Sequence, residues 1–176
     1  MYRLSKSRKK RPVPDGWVTA DEVAEFSTEA SLSLPFSQTS AVAMHDDGGY
    51  AAISSLEGVA AVYSLDQAKA ERQLDIKEPV TSGLWTGSKL IFSTAKGSVK
   101  VFENGQEKAT VSEHAGPATS LALHPSGEMF ASVGSDKSIV IYEVNTLKPV
   151  ARAYTGAGTY SPLSFRSSHS SPLPNH

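Results

Sequence analysis

The stretch Ser138-Ile-Val-Ile-Tyr142 decides the fold, because two earlier stretches repeat its pattern at a fixed distance. Val59-Ala-Ala-Val-Tyr63 and Ser98-Val-Lys-Val-Phe102 are also short apolar runs that end in an aromatic residue. The three closing aromatics lie 39 and 40 residues apart. Short apolar runs of this composition are typical of β-strands. The chain therefore contains an internal repeat of about 40 residues that is built from strands.

Each repeat divides into four strand-like runs that are separated by tight-turn sequences, such as Asp47-Gly48-Gly49 and Asn104-Gly105. Four short strands in a repeat of about 40 residues predict an all-β fold of the WD40 β-propeller type. We expect a partial propeller with about three four-stranded blades over residues 37–158. The predicted blades are 37–75, 79–112 and 114–156. A β-sandwich is the alternative, but the matched period across three repeats disfavours it.

The segments on either side of the repeats have a different character. We expect a basic flexible linker over residues 1–18 and a short helix with its connection over 19–30, where Thr19-Ala-Asp-Glu22 forms a capping box. Residues 159–176 resemble the start of a fourth blade that continues into a disordered, Ser/Pro-rich tail. Closed propellers carry about 4–8 blades. Three blades therefore predict an incomplete ring, in a fragment, an isoform or a truncated gene product.

Composition excludes several classes of chemistry. The chain has no cysteine, so it has no disulfide, no thiolate zinc site and no cysteine nucleophile. No glycine-rich phosphate motif is present, and no cofactor is predicted. The chain also has no apolar run as long as a signal-peptide core or a membrane span, which predicts an intracellular protein with no membrane partner.

The first twelve residues carry six basic side chains and no acid. The cluster Arg8, Lys9, Lys10 and Arg11, followed by Pro12, is typical of a nuclear-import signal. Contact between this arm and nucleic acid is a second interpretation, since basic segments bind phosphates. A solvated linker without a partner is the third.

Polar residues of the third repeat are the best candidates for a defined site. His114, Ser132, Asp136 and Tyr142 occupy places where WD40 blades often join such residues in a buried hydrogen-bond network. We predict that their role is structural. Their composition also matches a Ser-His-Asp triad, but no Gly-x-Ser-x-Gly motif is present, and no catalytic residue is predicted.

The other two repeats lack the aspartate of this network. Glu57 and Lys96 stand in the place of Asp136, so we expect these blades to depend on apolar packing and turns. Trp85 is predicted to be a core residue, with a binding anchor as the alternative. His45 and His124 are predicted to flank turns rather than to bind a metal, because no second ligand lies at a suitable spacing.

Several stretches carry a resemblance to a known family; they are 8–14, 16–21, 58–65, 100–105, 114–125 and 130–142. Together they resemble the pre-mRNA-processing factor nineteen family of splicing factors, which are U-box ubiquitin ligases. The run from Lys9 to Ala20 is the most specific, because generic WD40 proteins do not share it. The resemblance covers roughly residues 3–165.

The resemblance implies a nuclear subunit of a spliceosome-activating complex that also acts in DNA repair. In that family a U-box recruits the ubiquitin-conjugating enzyme, a coiled coil forms a homotetramer, and the propeller docks substrates and spliceosomal proteins. The U-box and the coiled coil are absent from these 176 residues, so we expect no ubiquitin transfer by this chain alone. The alternatives are a WD40 scaffold subunit of another nuclear complex and a non-functional truncated product.

Overall fold

The computed structural model describes residues 32–156, which form three four-stranded antiparallel sheets without a helix. The prediction of an all-β, partial WD40 propeller is confirmed. The basic linker over 1–18, the helix over 19–30 and the segment 159–176 lie outside the described residues. The twelve strands are β1 Thr39–Met44, β2 Tyr50–Ser55, β3 Val59–Ser64, β4 Lys69–Asp75, β5 Val80–Thr86, β6 Lys89–Thr94, β7 Ser98–Glu103, β8 Gln106–Ser112, β9 Ala118–Leu123, β10 Met129–Gly134, β11 Ser138–Glu143 and β12 Pro149–Tyr154.

Each sheet is a simple meander in which consecutive strands pair in chain order. We call β1–β4 blade 1, β5–β8 blade 2 and β9–β12 blade 3. The first strands of the blades are neighbours, since β5 lies against both β1 and β9. In a meander the loops alternate between two ends. The lower end holds the loops after the first and third strands of each blade, and the upper end holds the remaining loop and the connections between blades.

The hydrophobic core lies in the seams between the blades. Side chains alternate along β7, so that Phe102 packs in the seam with blade 1 while Val101 packs in the seam with blade 3. In the first seam the rings of Phe92 and Phe102 meet at 6.0 Å with an interplanar angle of 70°. In the second seam Phe130 and Tyr142 are stacked at 4.8 Å. The closing aromatic of the second and third repeats is therefore the side chain that joins each blade to the blade before it.

The lower end depends on tight turns that the sequence predicts. Asn104 and Gly105 join β7 to β8 and both have positive φ, 52° and 81°. They follow Glu103, which pairs with Gln106, so the turn is the two-residue type that suits the right-handed twist of a hairpin. Asparagine and glycine adopt these angles at low cost, and the Asn-Gly prediction is confirmed.

The two end blades each have a face that no neighbouring blade covers. On blade 1 the segment 32–36 packs over Tyr63, whose hydroxyl donates a hydrogen bond to the carbonyl oxygen of Ser33 at 2.5 Å. Val42 and Met44 on β1 remain 58% and 50% exposed. On blade 3 the outer strand β12 is exposed along its whole length. Apolar residues at these ends are thus left in water, whereas their counterparts in the seams are buried.

The packing in the seams predicts that a valine-to-alanine substitution has different effects on stability at a buried and at an exposed position. Val101→Ala removes buried methyl groups from the second seam and should lower the free energy of unfolding by about 2–3 kcal/mol. Val42→Ala, at an exposed position of blade 1, should change it by less than about 0.5 kcal/mol. Urea unfolding followed by circular dichroism measures both. Equal effects would contradict the packing of blade 2 against blade 3.

Candidate functional site

Four polar side chains of blade 3 converge near its upper end, and they come from one connection, one turn and two strands. His114 lies in the connection between β8 and β9, and Asp136 lies in the turn between β10 and β11. Ser132 and Tyr142 project from the neighbouring strands β10 and β11. The structure therefore brings all four residues named in the sequence analysis to one place.

These side chains form a continuous chain of hydrogen bonds. His114 Nδ1 lies 3.2 Å from Asp136 Oδ1, and His114 Nε2 lies 2.6 Å from Ser132 Oγ. The hydroxyl oxygens of Ser132 and Tyr142 are 3.4 Å apart, which is the longest link. Ser138, whose part in this network the sequence analysis did not predict, places its Oγ 2.8 Å from both His114 Nδ1 and Asp136 Oδ1. We call these five residues the blade-3 network.

The carboxylate of Asp136 is the centre of the network because it also binds the backbone. Its Oδ2 accepts a hydrogen bond from the N–H of Ala115 at 3.0 Å, and its Oδ1 accepts one from the N–H of Ser138 at 3.1 Å. Ala115 belongs to the connection that enters blade 3, whereas Ser138 begins β11. One side chain thus ties the connection between blades to a turn within the blade.

Gly134 makes room for this arrangement. A Cβ atom at this position would overlap His114 Nδ1 and Asp136 Oδ1. The neighbouring groups are held by several hydrogen bonds, so they have little freedom to move away. Any larger residue at position 134 would displace the imidazole or the carboxylate.

The environment of Asp136 stabilises its charged form. Burial raises the pKa of this carboxyl, but hydrogen bonds from the Ala115 N–H, from Ser138 and from His114 outweigh burial and hold the pKa well below the ordinary value of 3.8. Asp136 Oδ1 faces His114 Nδ1 and Ser132 Oγ faces His114 Nε2, so the three side chains are connected in the order of a Ser-His-Asp triad. The Ser132 hydroxyl, however, donates its proton to the hydroxyl oxygen of Tyr142.

Burial opposes the triad interpretation. Ser132 has no exposed surface, and the side chain of His114 has none either. A serine nucleophile must reach a carbonyl carbon, and here the hydroxyl faces protein on all sides. The arrangement can hold a blade together, but it presents no atom to a substrate.

Blade 2 differs from the sequence-based expectation. We expected it to depend on apolar packing and turns, and this is wrong, because Glu78 holds a polar cluster at the corresponding upper end. Its Oε2 accepts hydrogen bonds from the hydroxyls of Thr94 at 2.7 Å and Ser98 at 2.5 Å. The buried Lys100 Nζ lies 3.8 Å from its Oε1 and 3.7 Å from Glu107 Oε2.

The charge on Glu78 is also stabilised. Burial raises its pKa, but the hydrogen bonds from Ser98 and Thr94 and the charge of Lys100 lower the pKa further than burial raises it. The signal missed in the sequence is that Ser98 and Ser138 occupy the same place in their repeats. In blade 2 the carboxylate that binds this serine is Glu78, from the connection before the blade. In blade 3 it is Asp136, from the turn within the blade.

The two turn histidines bind neighbouring polar groups of their own loops. His45 Nδ1 lies 2.7 Å from Asp47 Oδ1, and His124 Nδ1 lies 2.8 Å from Ser126 Oγ. Within residues 32–156 no group of three or more potential ligands is placed to hold a metal ion. No helix in the same range is long and apolar enough to cross a membrane.

A cavity of about 240 Å³ opens at the lower end of the seam between blades 1 and 2. Trp85 lines it and is half-buried, so both sequence interpretations of this residue apply in part. One part of the indole contacts the core, and the other part faces the cavity. We call this cavity the seam pocket; its lining includes His45, Tyr50, Arg72, Leu74, Trp85 and Phe102.

Comparison with known families agrees with the blade geometry. Residues 105–143 match the family described as WD domain, G-beta repeat (WD40). The chain contains a WD40 repeat. The match begins beside β8 and ends with β11, so it covers the outer strand of blade 2, three strands of blade 3 and the whole blade-3 network. No curated protein matches the chain.

WD40 domains commonly mediate protein–protein interactions. This repeat therefore indicates an interaction scaffold. The basic cluster Arg8, Lys9, Lys10 and Arg11 lies outside the described residues, and its role stays a prediction.

The blade-3 network predicts a particular dependence of stability on pH. Because the pKa of Asp136 is lower in the folded state, its ionised form contributes stability that is fully present above the ordinary value of 3.8 and is lost as pH falls toward the folded pKa. Asp136→Asn should lower the free energy of unfolding at neutral pH by about 2 kcal/mol. The difference from the wild type should shrink below pH 3.8.

Urea unfolding at a series of pH values measures this difference. Asp66→Asn, in the exposed turn between β3 and β4, is the matched control, and its curve should coincide with that of the wild type. A difference between Asp136→Asn and the wild type that stays constant as pH falls would contradict the stabilised charge.

Proposed function

We propose that this chain is the partner-docking WD40 segment of a U-box E3 ubiquitin-protein ligase that acts in pre-mRNA splicing and DNA repair. The observation that supports docking is the WD40 repeat, set in blades whose most reactive side chains are buried. Such a scaffold presents loops and seam surfaces to other proteins while another module performs the chemistry.

The more specific part of the proposal depends on the stretch from Lys9 to Ala20. This stretch resembles the region that precedes the propeller in the pre-mRNA-processing factor nineteen family. It also contains the basic cluster, which would direct the protein to the nucleus, where spliceosomal proteins and ubiquitination substrates would meet the propeller. The intact protein would form a homotetramer through a coiled coil that is absent from these residues.

There are two alternatives. The WD40 repeat is equally compatible with a scaffold subunit of another nuclear complex. A non-functional truncated product is the second alternative, and exposed apolar residues such as Val42 and Met44 are compatible with it. Both alternatives share the WD40 blades with the proposal, but neither includes a ubiquitin-ligase function.

The transcript that encodes the chain distinguishes these possibilities. Sequencing it in full should reveal a U-box and a coiled coil upstream and further blades downstream. A transcript with further blades but no U-box would support the scaffold of another complex. A transcript without either would support the truncated product and contradict the proposal.

Nuclear import can be tested on the chain itself. Replacement of Arg8, Lys9, Lys10 and Arg11 by alanine should move a reporter fusion, too large to diffuse through nuclear pores, from the nucleus to the cytoplasm. The control exchanges each lysine for arginine and each arginine for lysine, which keeps the charge, and should remain nuclear. Microscopy of living cells gives the ratio of nuclear to cytoplasmic signal. An unchanged ratio in the alanine variant would contradict a role of this cluster in import.

A further inference from the structure

We propose that the seam pocket binds an acidic segment of a partner protein, with an apolar side chain in the cavity and a carboxylate on Arg72. This inference rests on the proposed docking function and specifies the chemistry of the partner. The walls of the pocket come from blades 1 and 2 alone. Because both blades are complete, the pocket does not depend on any blade beyond them.

The interior of the pocket suits an apolar or aromatic side chain. Leu74, Leu90 and Phe102 belong to the first seam core and also line the cavity. His45 meets Trp85 edge-to-face at 4.9 Å, and Tyr50 lies 6.5 Å from the same ring. Aromatic side chains that are only partly buried by the fold are typical anchors of protein interfaces.

Trp85 is held in one orientation. Its Nε1 donates a hydrogen bond to the carbonyl oxygen of Gly87 at 3.1 Å. The indole therefore has its polar atom satisfied within its own loop, and a ligand needs to supply only apolar contact to the ring. A fixed aromatic wall loses little conformational entropy when a partner binds.

Arg72 supplies the charge at the rim. The side chain extends from β4 across the seam and lies against Gly105, where an added Cβ would fall 2.6 Å from Arg72 Cδ. In the described part of the chain its guanidinium has no hydrogen bond and no ion pair, although it is exposed beside an apolar cavity. A guanidinium binds a carboxylate through two parallel hydrogen bonds, so this group favours an acidic ligand.

The neighbouring acids restrict the class of ligand. Asp47 is paired with His45, and Glu103 accepts a hydrogen bond from Ser88. Glu71 also lines the pocket, next to Arg72 in the chain. One arginine among three carboxylates would repel a nucleic acid, whose charges are repeated along the strand. A short segment with an apolar residue and a single nearby carboxylate fits both the cavity and the rim.

The test is a titration of the 176-residue chain, carrying Trp17→Phe so that Trp85 is its only tryptophan. The probe is the tripeptide Gly-Phe-Asp, acetylated and amidated at its ends so that it carries a single carboxylate, and the readout is Trp85 fluorescence. We expect a saturable change, with weaker binding of Gly-Ala-Asp and no binding of Gly-Phe-Lys. Arg72→Gln should raise the dissociation constant about three- to tenfold.

Lys148→Gln is the matched control, because Lys148 is an exposed cation on blade 3, outside the pocket, and its removal should leave the affinity unchanged. The inference is overturned if Gly-Phe-Lys binds as well as Gly-Phe-Asp, if Arg72→Gln has no effect, or if no peptide changes the fluorescence up to its solubility limit.

The result is separable from that of the transcript. If no peptide binds but the transcript encodes a U-box, the proposed binding site is rejected and the ligase assignment stands. Binding of the acidic peptide by a chain whose transcript lacks a U-box would keep the pocket and remove that assignment.

Discussion

Face-to-face packing of neighbouring sheets is the constraint on which this structure depends. A four-stranded meander buries little by itself, and most of the buried apolar side chains lie where one blade meets the next. Phe102 and Tyr142 each occupy such a seam. A blade is therefore stable only beside another blade, as expected for architectures in which each unit contacts only its neighbours. Val42 and Met44 illustrate the same dependence on a neighbouring blade, since no blade covers them and they remain exposed.

Hydrogen-bonded carboxylates stabilise the junctions between neighbouring blades in two different ways. In blade 3 a carboxylate in the internal turn reaches back to the connection, through His114 and the N–H of Ala115. In blade 2 a carboxylate in the connection, Glu78, reaches into the blade, through Thr94 and Ser98. Both arrangements place an ionised, hydrogen-bonded acid at the upper end of a blade, where burial alone would favour its neutral form. The common requirement is a fixed angle between a blade and the chain that enters it.

The repeat of closing aromatics was enough to predict three four-stranded blades, because those aromatics are core residues with a fixed spacing. His114, Ser132, Asp136 and Tyr142 could also be named, since they stand at defined places in the third repeat. Glu78 could not, because its role depends on a side chain that crosses from one element to another. The seam pocket could not be predicted from the sequence either. Arg72 and Trp85 are 13 residues apart in different blades, and only the packing of the blades brings them together. Periodicity predicts what each unit repeats, and it carries no information about contacts that occur only once.

The stretch that matches a WD40 repeat and the sheet seen in the structure are out of phase by one strand. Residues 105–143 include β8 of one blade and the first three strands of the next, so the connection with His114 lies inside the unit rather than at its border. The matched unit therefore contains a complete junction between two sheets, with His114, Gly134 and Asp136 together inside it. A unit divided at the edges of the sheets would instead be cut within the connection that carries His114.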